Sequence, residues 1–393
     1  MKTAEKDGAA VVNGKAAETA RAQAGGEAHR GEAAKVAPGD MLIIGLPGPE
    51  LDEEALALLR EIRPLGVILF RRNIVSTEQL RRLTAALLEE RPDLLLAIDH
   101  EGGRVHRMPA DFTHFPPSLV MARNGDPGLL KDVARAHAAE LREAGFNLTF
   151  SPVLDVHTNP DNPIIGDRAF GTTPEEVVHN ALPYLQGLIE GGILPCGKHF
   201  PAHGDTALDS HLALPVLHAA THDLQRLRSL EFRPFARAIS QGLPMIMTAH
   251  VVCEAIDPAM PATLSPLAID GCLRRDLGFD GYVISDDLEM KAVADHFQVG
   301  RAAVLSIFAG CDGCLVCATP SLIREAHAAL AAAMADGEIS AARLAEVARR
   351  RDKLLARSKR LARVETAPGS IGSNAHAALS ARLRGDVSVV AKA

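Results

Sequence analysis

The stretch GVILFRRNIVSTEQLRRLTAALLEERPDLLLAID, residues 66–99, decides how the chain is built. It opens on a short apolar run (66–70), passes through a segment of helical period at 75–90, and returns to a second apolar run (94–99). Ser76 stands where such a helix needs its N-cap, just ahead of the first periodic leucine. Two runs apolar on both faces, joined by an amphipathic helix, mark a βαβ unit of a parallel sheet. The alternation continues in both directions. Further strands are expected at MLIIGL (41–46), LTFSPV (148–153), PCGKHF (195–200), PMIMTAH (244–250), GYVISD (281–286) and GCLVC (313–317), with helices over 127–144, 174–190, 221–241 and 289–309. Eight strands alternating with helices predict an α/β fold, a single (β/α)8 barrel of the TIM type, with its active site at the carboxyl ends of the strands. A doubly wound open sheet is the competing arrangement, but no Gly-rich phosphate-binding turn follows the first strand.

Residues 1–37 contain no Leu, Ile or Phe and cannot bury enough apolar surface to offset chain entropy, so a disordered tail is expected there. The barrel is assigned to 38–363 as one domain, because no low-complexity linker interrupts it. Its last helix, about 339–363, carries Arg349, Arg350, Arg351, Lys353, Arg357, Lys359 and Arg360 and reads as a solvated outer face capping the barrel. Residues 364–393 read as a C-terminal tail in which ALSARLRGDVSVVA (378–391) forms at most a short fraying helix. The chain is 47% hydrophobic and 23% charged with a net charge of -7, a globular composition with no general attraction to nucleic acid or anionic membranes. No run approaches the ~18 apolar residues that span a bilayer, and no apolar signal core follows the N-terminal charges. A cytoplasmic monomer without nucleic-acid or membrane partners is expected. The six cysteines are too scattered for a disulfide framework, and Cys311, Cys314 and Cys317 have the spacing of a strand and its approach rather than of a metal site.

Polar residues gather at the carboxyl ends of the expected strands. Asp99-His100-Glu101-Gly102-Gly103-Arg104 follows the third and Asp155 the fourth; Lys198 and His199 lie on the fifth, His250 ends the sixth, and Ser285-Asp286-Asp287 ends the seventh. Unpaired buried charge is costly, so stability alone does not explain this pattern and a functional pocket does. The loop after the fifth strand shows no helical period until Thr221, a length usual for functional loops. In it one residue separates Asp209 from His211, a spacing that lets the carboxylate accept from one imidazole nitrogen and leave the other to exchange protons. Lys198, Arg107 and Arg168 supply donors suited to hydroxyl groups and Asp99 a two-oxygen acceptor, with ion pairing as the alternative role of each.

Five motifs in this order, AIDHEGGRVHRM (97–108), IIGDRAFG (164–171), KHFPAHGDTALDSH (198–211), MTAHV (247–251) and VISDDLEMKA (283–292), resemble those of glycoside hydrolase family 3, specifically its single-barrel β-N-acetylglucosaminidases, over about 40–363. The resemblance implies that Asp286 is the catalytic nucleophile, that His211 is the general acid/base with Asp209 as its dyad partner, and that Asp99, Arg107, Arg168, Lys198 and His199 bind the nonreducing sugar. It implies no metal and no cofactor. Two positions depart from the family pattern. His100 stands where glutamine is common, and Ala202 stands where KHFPGHG has a glycine, adding a methyl group that bears on the shape of the loop.

A carboxylate nucleophile with a separate proton donor is the equipment of retaining glycoside hydrolysis through a covalent glycosyl-enzyme. Larger members of the family take the donor from a second domain, whereas only 364–393 follows this barrel, so a donor within the barrel is expected. The implied substrate is an amino-sugar glycoside, N-acetylglucosamine linked to anhydro-N-acetylmuramic acid with or without peptide, in cell-wall recycling. Phosphorolysis and β-glucosidase or xylosidase activity remain open within the family. Outside it stand a metal-dependent hydrolase using His199, His203, His211, His250 and Asp286, and a non-catalytic muropeptide-binding barrel.

Overall fold

Ten short strands occur in the computed structural model, which describes residues 36–385. They are β1 (Leu42–Gly45), β2 (Gly66–Leu69), β3 (Leu95–Ile98), β4 (Leu148–Thr149), β5 (Leu194–Phe200), β6 (Val216–Leu217), β7 (Met245–Thr248), β8 (Val252–Cys253), β9 (Tyr282–Asp287) and β10 (Gly313–Val316). Eight close into a parallel barrel in the order β1-β2-β3-β4-β5-β7-β9-β10 and back to β1. Each coincides with one of the eight expected runs. The other two, β6 and β8, pair in a small parallel ribbon outside the barrel.

Both faces of the strands are apolar because both are covered. Ile43, Ile68, Leu95, Leu148, Leu194, Met245 and Ile284 fill the barrel interior, while their neighbours Leu42, Ile44, Val67, Leu69 and Leu96 join the larger cluster that also contains the helix residues. The surrounding helices are α1 (Glu53–Ile62), α2 (Thr77–Glu90), α3 (Ser118–Asn124), α4 (Pro127–Glu143), α5 (Pro174–Glu190), α6 (Leu224–Ser229), α7 (Phe232–Ser240), α8 (Lys291–Ala294), α9 (Val299–Ala309), α10 (Pro320–Ala335), α11 (Ala341–Leu361) and α12 (Asn374–Arg384). Ser76 caps α2 as expected, its hydroxyl accepting from the Gln79 amide at 3.2 Å.

Two helices expected as continuous are broken. The 221–241 segment divides into α6 and α7 because Pro234 has no amide to give Leu230, and its ring would meet that carbonyl in an unbroken helix. The restart at Phe232 places Pro234 in the first turn, where neither matters. The 289–309 segment likewise divides into α8 and α9, with residues 295–298 leaving the helix between them.

The basic helix α11 caps the barrel, but its cations are not uniformly solvated. Arg343 and Arg350 reach the buried carboxylate of Asp312 at 2.9 and 3.3 Å, joined by Arg274 at 2.6 Å, and Arg351 pairs with Asp40 at 2.5 Å. Only one side of the helix matches the outer face expected.

The C-terminal stretch also differs from a fraying tail. Leu383 and Ala381 of α12 are buried, Asn124 donates to the Leu383 carbonyl at 2.8 Å, and Ser380 donates to the His114 carbonyl at 2.8 Å. Residues 386–393, like residues 1–35 of the N-terminal tail expected over 1–37, lie outside the described residues. Among the described residues no helix is long and apolar enough to cross a membrane, and all six cysteines are buried free thiols.

Candidate active site

Strand periodicity places the chemistry. On β5, Leu194 and Cys196 point into the barrel, so Lys198, two residues on, stands above them on the same side. The same parity sets Asp99 and then Glu101 above Ala97, and Asp286 above Ile284, while Met247 adds an apolar wall. These side chains line an open cavity of about 350 Å³ at the carboxyl end of the barrel. All eight site residues expected from the sequence meet there: Asp99, Arg107, Arg168, Lys198, His199, Asp209, His211 and Asp286.

An alternating row of charges lies along one side. Lys198 Nζ sits 2.5 Å from Asp99 Oδ1 and 2.7 Å from Glu101 Oε1, and Arg168 grips Glu101 with Nε and Nη2, each at 2.8 Å. Burial by itself would raise the Glu101 carboxyl, but the adjoining Arg168 and Lys198 charges hold it far below the usual range. Glu101 was missed as a site residue; its position two residues beyond Asp99 was the available signal. Among the described residues Asp99 bonds through Oδ1 alone. Arg168 spends three of its five donors on Glu101 and the Ile164 carbonyl. Arg107 also lines the cavity, and its buried Nε has no partner among the described residues.

Asp155 is a buried hub. Its Oδ2 accepts from the His199 amide at 3.1 Å and from His199 Nδ1 at 2.7 Å, and its Oδ1 accepts from the His203 amide at 2.8 Å. The carboxylate therefore assigns the proton on His199 to Nδ1 and, among the described residues, leaves Nε2 without a partner. Burial works to raise the Asp155 carboxyl, and the facing His199 and His203 bring it below its ordinary value.

The loop after β5 carries the dyad. His211 Nδ1 and Asp209 Oδ1 are 2.8 Å apart, and the His211 amide donates to the same oxygen at 2.8 Å. The His211 ring is largely exposed at the rim, where it can meet a leaving group and water in turn. The loop needs glycine at 204, since a Cβ there would lie 1.8 Å from the Val156 carbonyl oxygen. Ala202, the departure from the family pattern, is accommodated. Its methyl is buried among Leu217, Ala249, Val251 and Cys253, and among the described residues Arg63 alone of the non-glycine residues has a positive φ.

Two adjacent carboxyls end β9 in different states. Asp286 Oδ1 accepts from the Asp287 amide at 2.8 Å. Burial alone would raise Asp286, but His250, His199, the Asp287 amide and Lys198 bring it below its ordinary value, so it is ionised. Asp287 is pushed up to about 7, first by burial and then by the Glu289 and Asp286 charges, against the opposing Glu289 amide. The surroundings thus push the titrations of two neighbouring carboxyls apart.

His203 and His250 have both ring nitrogens engaged. His203 meets Thr206 Oγ1 and Ser210 Oγ, each at 2.8 Å, and His250 meets Thr263 Oγ1 at 2.8 Å and the Asp287 carbonyl at 2.9 Å. Neither offers a lone pair to the cavity. Among the described residues no group of three or more His, Cys, Asp and Glu side chains is disposed to hold a metal ion.

A parallel barrel with an ionised carboxylate above its apolar interior, a carboxylate-oriented imidazole at its rim and a row of paired charges beside them has the equipment of a glycoside-cleaving enzyme. The chain belongs to glycoside hydrolase family 3: the description "Glycosyl hydrolase family 3 N terminal domain" matches residues 39–354. It is 43% identical over 295 residues to a β-hexosaminidase of Alkalilimnicola ehrlichii, covering 72% of this chain and 83% of that one. It is 40% identical over 278 residues to a β-hexosaminidase of Methylococcus capsulatus, covering 70% and 82%. Among solved structures, NagZ from Neisseria gonorrhoeae in complex with N-trifluoroacetyl-D-glucosamine superposes with a TM-score of 0.73 at 32% identity, over 90% of this chain and all of that one. A glycoside hydrolase family 3 β-N-acetylglucosaminidase from Paenibacillus sp. FPU-7 gives a TM-score of 0.83 at 36% identity, over 89% of this chain and 68% of that one.

Proposed function

We propose that this glycosidase removes terminal β-linked N-acetylglucosamine by a retaining mechanism, with Asp286 as nucleophile, His211 as acid/base and Asp209 as its partner. The observation that carries the reading is the pairing, in one cavity, of an ionised buried carboxylate with an imidazole already oriented by a carboxylate. The β-hexosaminidase relatives and the amino-sugar complex of the Neisseria protein support the sugar class. An Asp286 oxygen bonds to C1 as the C1–O bond to the aglycone breaks, and the departing oxygen takes the proton from His211. Water then yields a proton to His211 and its oxygen to C1, releasing Asp286. Asp99, Lys198, Arg107, Arg168 and His199 hold the sugar hydroxyls, and a muropeptide, N-acetylglucosamine on anhydro-N-acetylmuramic acid, is the proposed substrate.

A 5-fluoro N-acetylglucosaminyl donor is expected to label the peptide containing Asp286, and Asp286→Ala to lose nearly all turnover. Labelling of Asp287 or Asp155 would overturn the assignment. Products formed with and without inorganic phosphate separate hydrolysis from phosphorolysis, free N-acetylglucosamine in both being the expected result.

A further inference from the structure

Between the two dyad residues lies a side chain of opposite character. Ser210 is 2% exposed, whereas the side chains flanking it are 27% exposed at Asp209 and 64% at His211. Its hydroxyl lies 2.8 Å from His203 Nε2, and its carbonyl accepts from the Ala292 amide at 3.2 Å, in α8, the short helix that follows the Asp286 strand. His203 is itself fixed, its amide bonded to Asp155, the carboxylate that orients His199.

We propose that the Ser210 hydroxyl and the His203 imidazole form a latch that positions the acid/base loop over the nucleophile. The inference rests on reading Asp209 and His211 as the acid/base pair. The local network sets its polarity. The Thr206 hydroxyl donates to the His203 carbonyl at 3.0 Å, so toward His203 Nδ1, 2.8 Å away, it can only accept. The imidazole proton therefore sits on Nδ1, and Nε2 presents its lone pair to the Ser210 O–H. Burial, with the nearby His199, lowers His203 to about 4, which keeps the ring in this neutral form near neutral pH. Asn162 braces the turn, donating to the His203 carbonyl at 2.8 Å and the Thr206 carbonyl at 3.0 Å. The loop is thus tied on one side to the β5 hub and on the other to the segment after β9, while Asp209 and His211 project from it beside the exposed Leu208 and Leu212. Ser210 and His203 touch no reacting atom in this arrangement; they are positioning residues.

The test compares Ser210→Ala and Ser210→Thr with wild type by two readouts. Hydrogen–deuterium exchange over 205–213 reports the latch whatever the substrate. Faster exchange in the alanine variant, with near-wild-type exchange in the threonine variant, is expected, and unchanged exchange in the alanine variant overturns the latch. The second readout is kcat against KM for alkyl and activated aryl N-acetylglucosaminides. Loss of positioning is expected to lower kcat by about tenfold on the alkyl glycoside, within the range that proton donation commands, with KM and the activated substrate little changed. Faster exchange with an unchanged leaving-group dependence would leave the latch standing and overturn the acid/base role of the loop. A loss equal on both substrates, with unchanged exchange, overturns the positioning role.

Discussion

At the scale of single residues the site separates groups that share a chemistry. Asp286 and Asp287 are neighbours, yet opposing surroundings ionise one and hold the other near 7. A carboxyl raised in the folded state favours folding below its unfolded value of about 4, and that contribution is lost as pH rises toward 7. Asp287→Asn keeps an acceptor for the Glu289 amide and removes the titration. Its Tm relative to wild type is expected to be higher at pH 8 than at pH 5, as read by calorimetry; a pH-independent difference would contradict the assignment. The dyad invites a different comparison. His211→Ala is expected to slow glycosides with poor leaving groups by ~10²-fold or more, while activated aryl glycosides fall much less. Asp209→Ala should show the same dependence in weaker form, because it removes only the group that orients and charges the imidazole. A slope against leaving-group pKa as flat in His211→Ala as in wild type would mean that the proton comes from elsewhere.

At the scale of elements, the two ends of the barrel have different tasks. The carboxyl ends carry the paired charges that line the cavity, and the opposite end is closed by α11 through Asp312. This carboxylate is fully buried and accepts from Arg274, Arg343 and Arg350, while its Oδ2 also takes the Val283 amide at 3.0 Å. Burial raises it and the three guanidiniums bring it below its ordinary value. Removing one partner from a buried ion cluster strands the others. Asp312→Asn is expected to cost about 3–5 kcal/mol in urea unfolding, with turnover per folded molecule unchanged because the cluster lies far from the cavity. A matching loss of turnover per folded molecule would show that the two ends are coupled.

At the scale of the whole molecule, buried imidazoles contribute to the loss of stability in acid. His100, His106 and His137 pack at the back of the loop bearing Asp99 and Arg107, with ring centroids 4.6 Å apart for His100–His106 and 4.9 Å for His100–His137. Burial lowers His106 and His137 to about 4 and holds His100 well below its ordinary value. A histidine depressed on folding binds its proton in the unfolded chain first, so stability is complete above pH 6.5 and falls as pH drops toward 4. Tm is expected to decline steeply through that window, and His106→Phe, which keeps a ring against His100 and His114, should flatten the decline. An identical pH slope in the variant would show that this group does not contribute.

The barrel was legible in the sequence because its strands are covered on both faces, and eight apolar runs separated by helical period admit few other arrangements. The meeting of Asp286 with Asp209 and His211 in one cavity was legible too, since one falls in a motif at a strand end and the others in a motif on the loop after β5. What the sequence did not show depends on contacts between residues far apart along the chain. Pro234 spoke locally for the break between α6 and α7, but the docking of α12 depends on the His114 and Asn124 side of the barrel. The helix read as a solvated basic face is half buried because Asp312 lies beneath it, which no local pattern discloses. Glu101 and Ser210 stood inside recognised motifs without an assigned task. Their tasks follow from Arg168, Lys198 and His203, brought within hydrogen-bonding reach only when the barrel closes. Periodicity is a local property that sequence carries directly, whereas the pairing of buried charges and hydroxyls is settled by closure, because only then does desolvation force each polar group to find its partner.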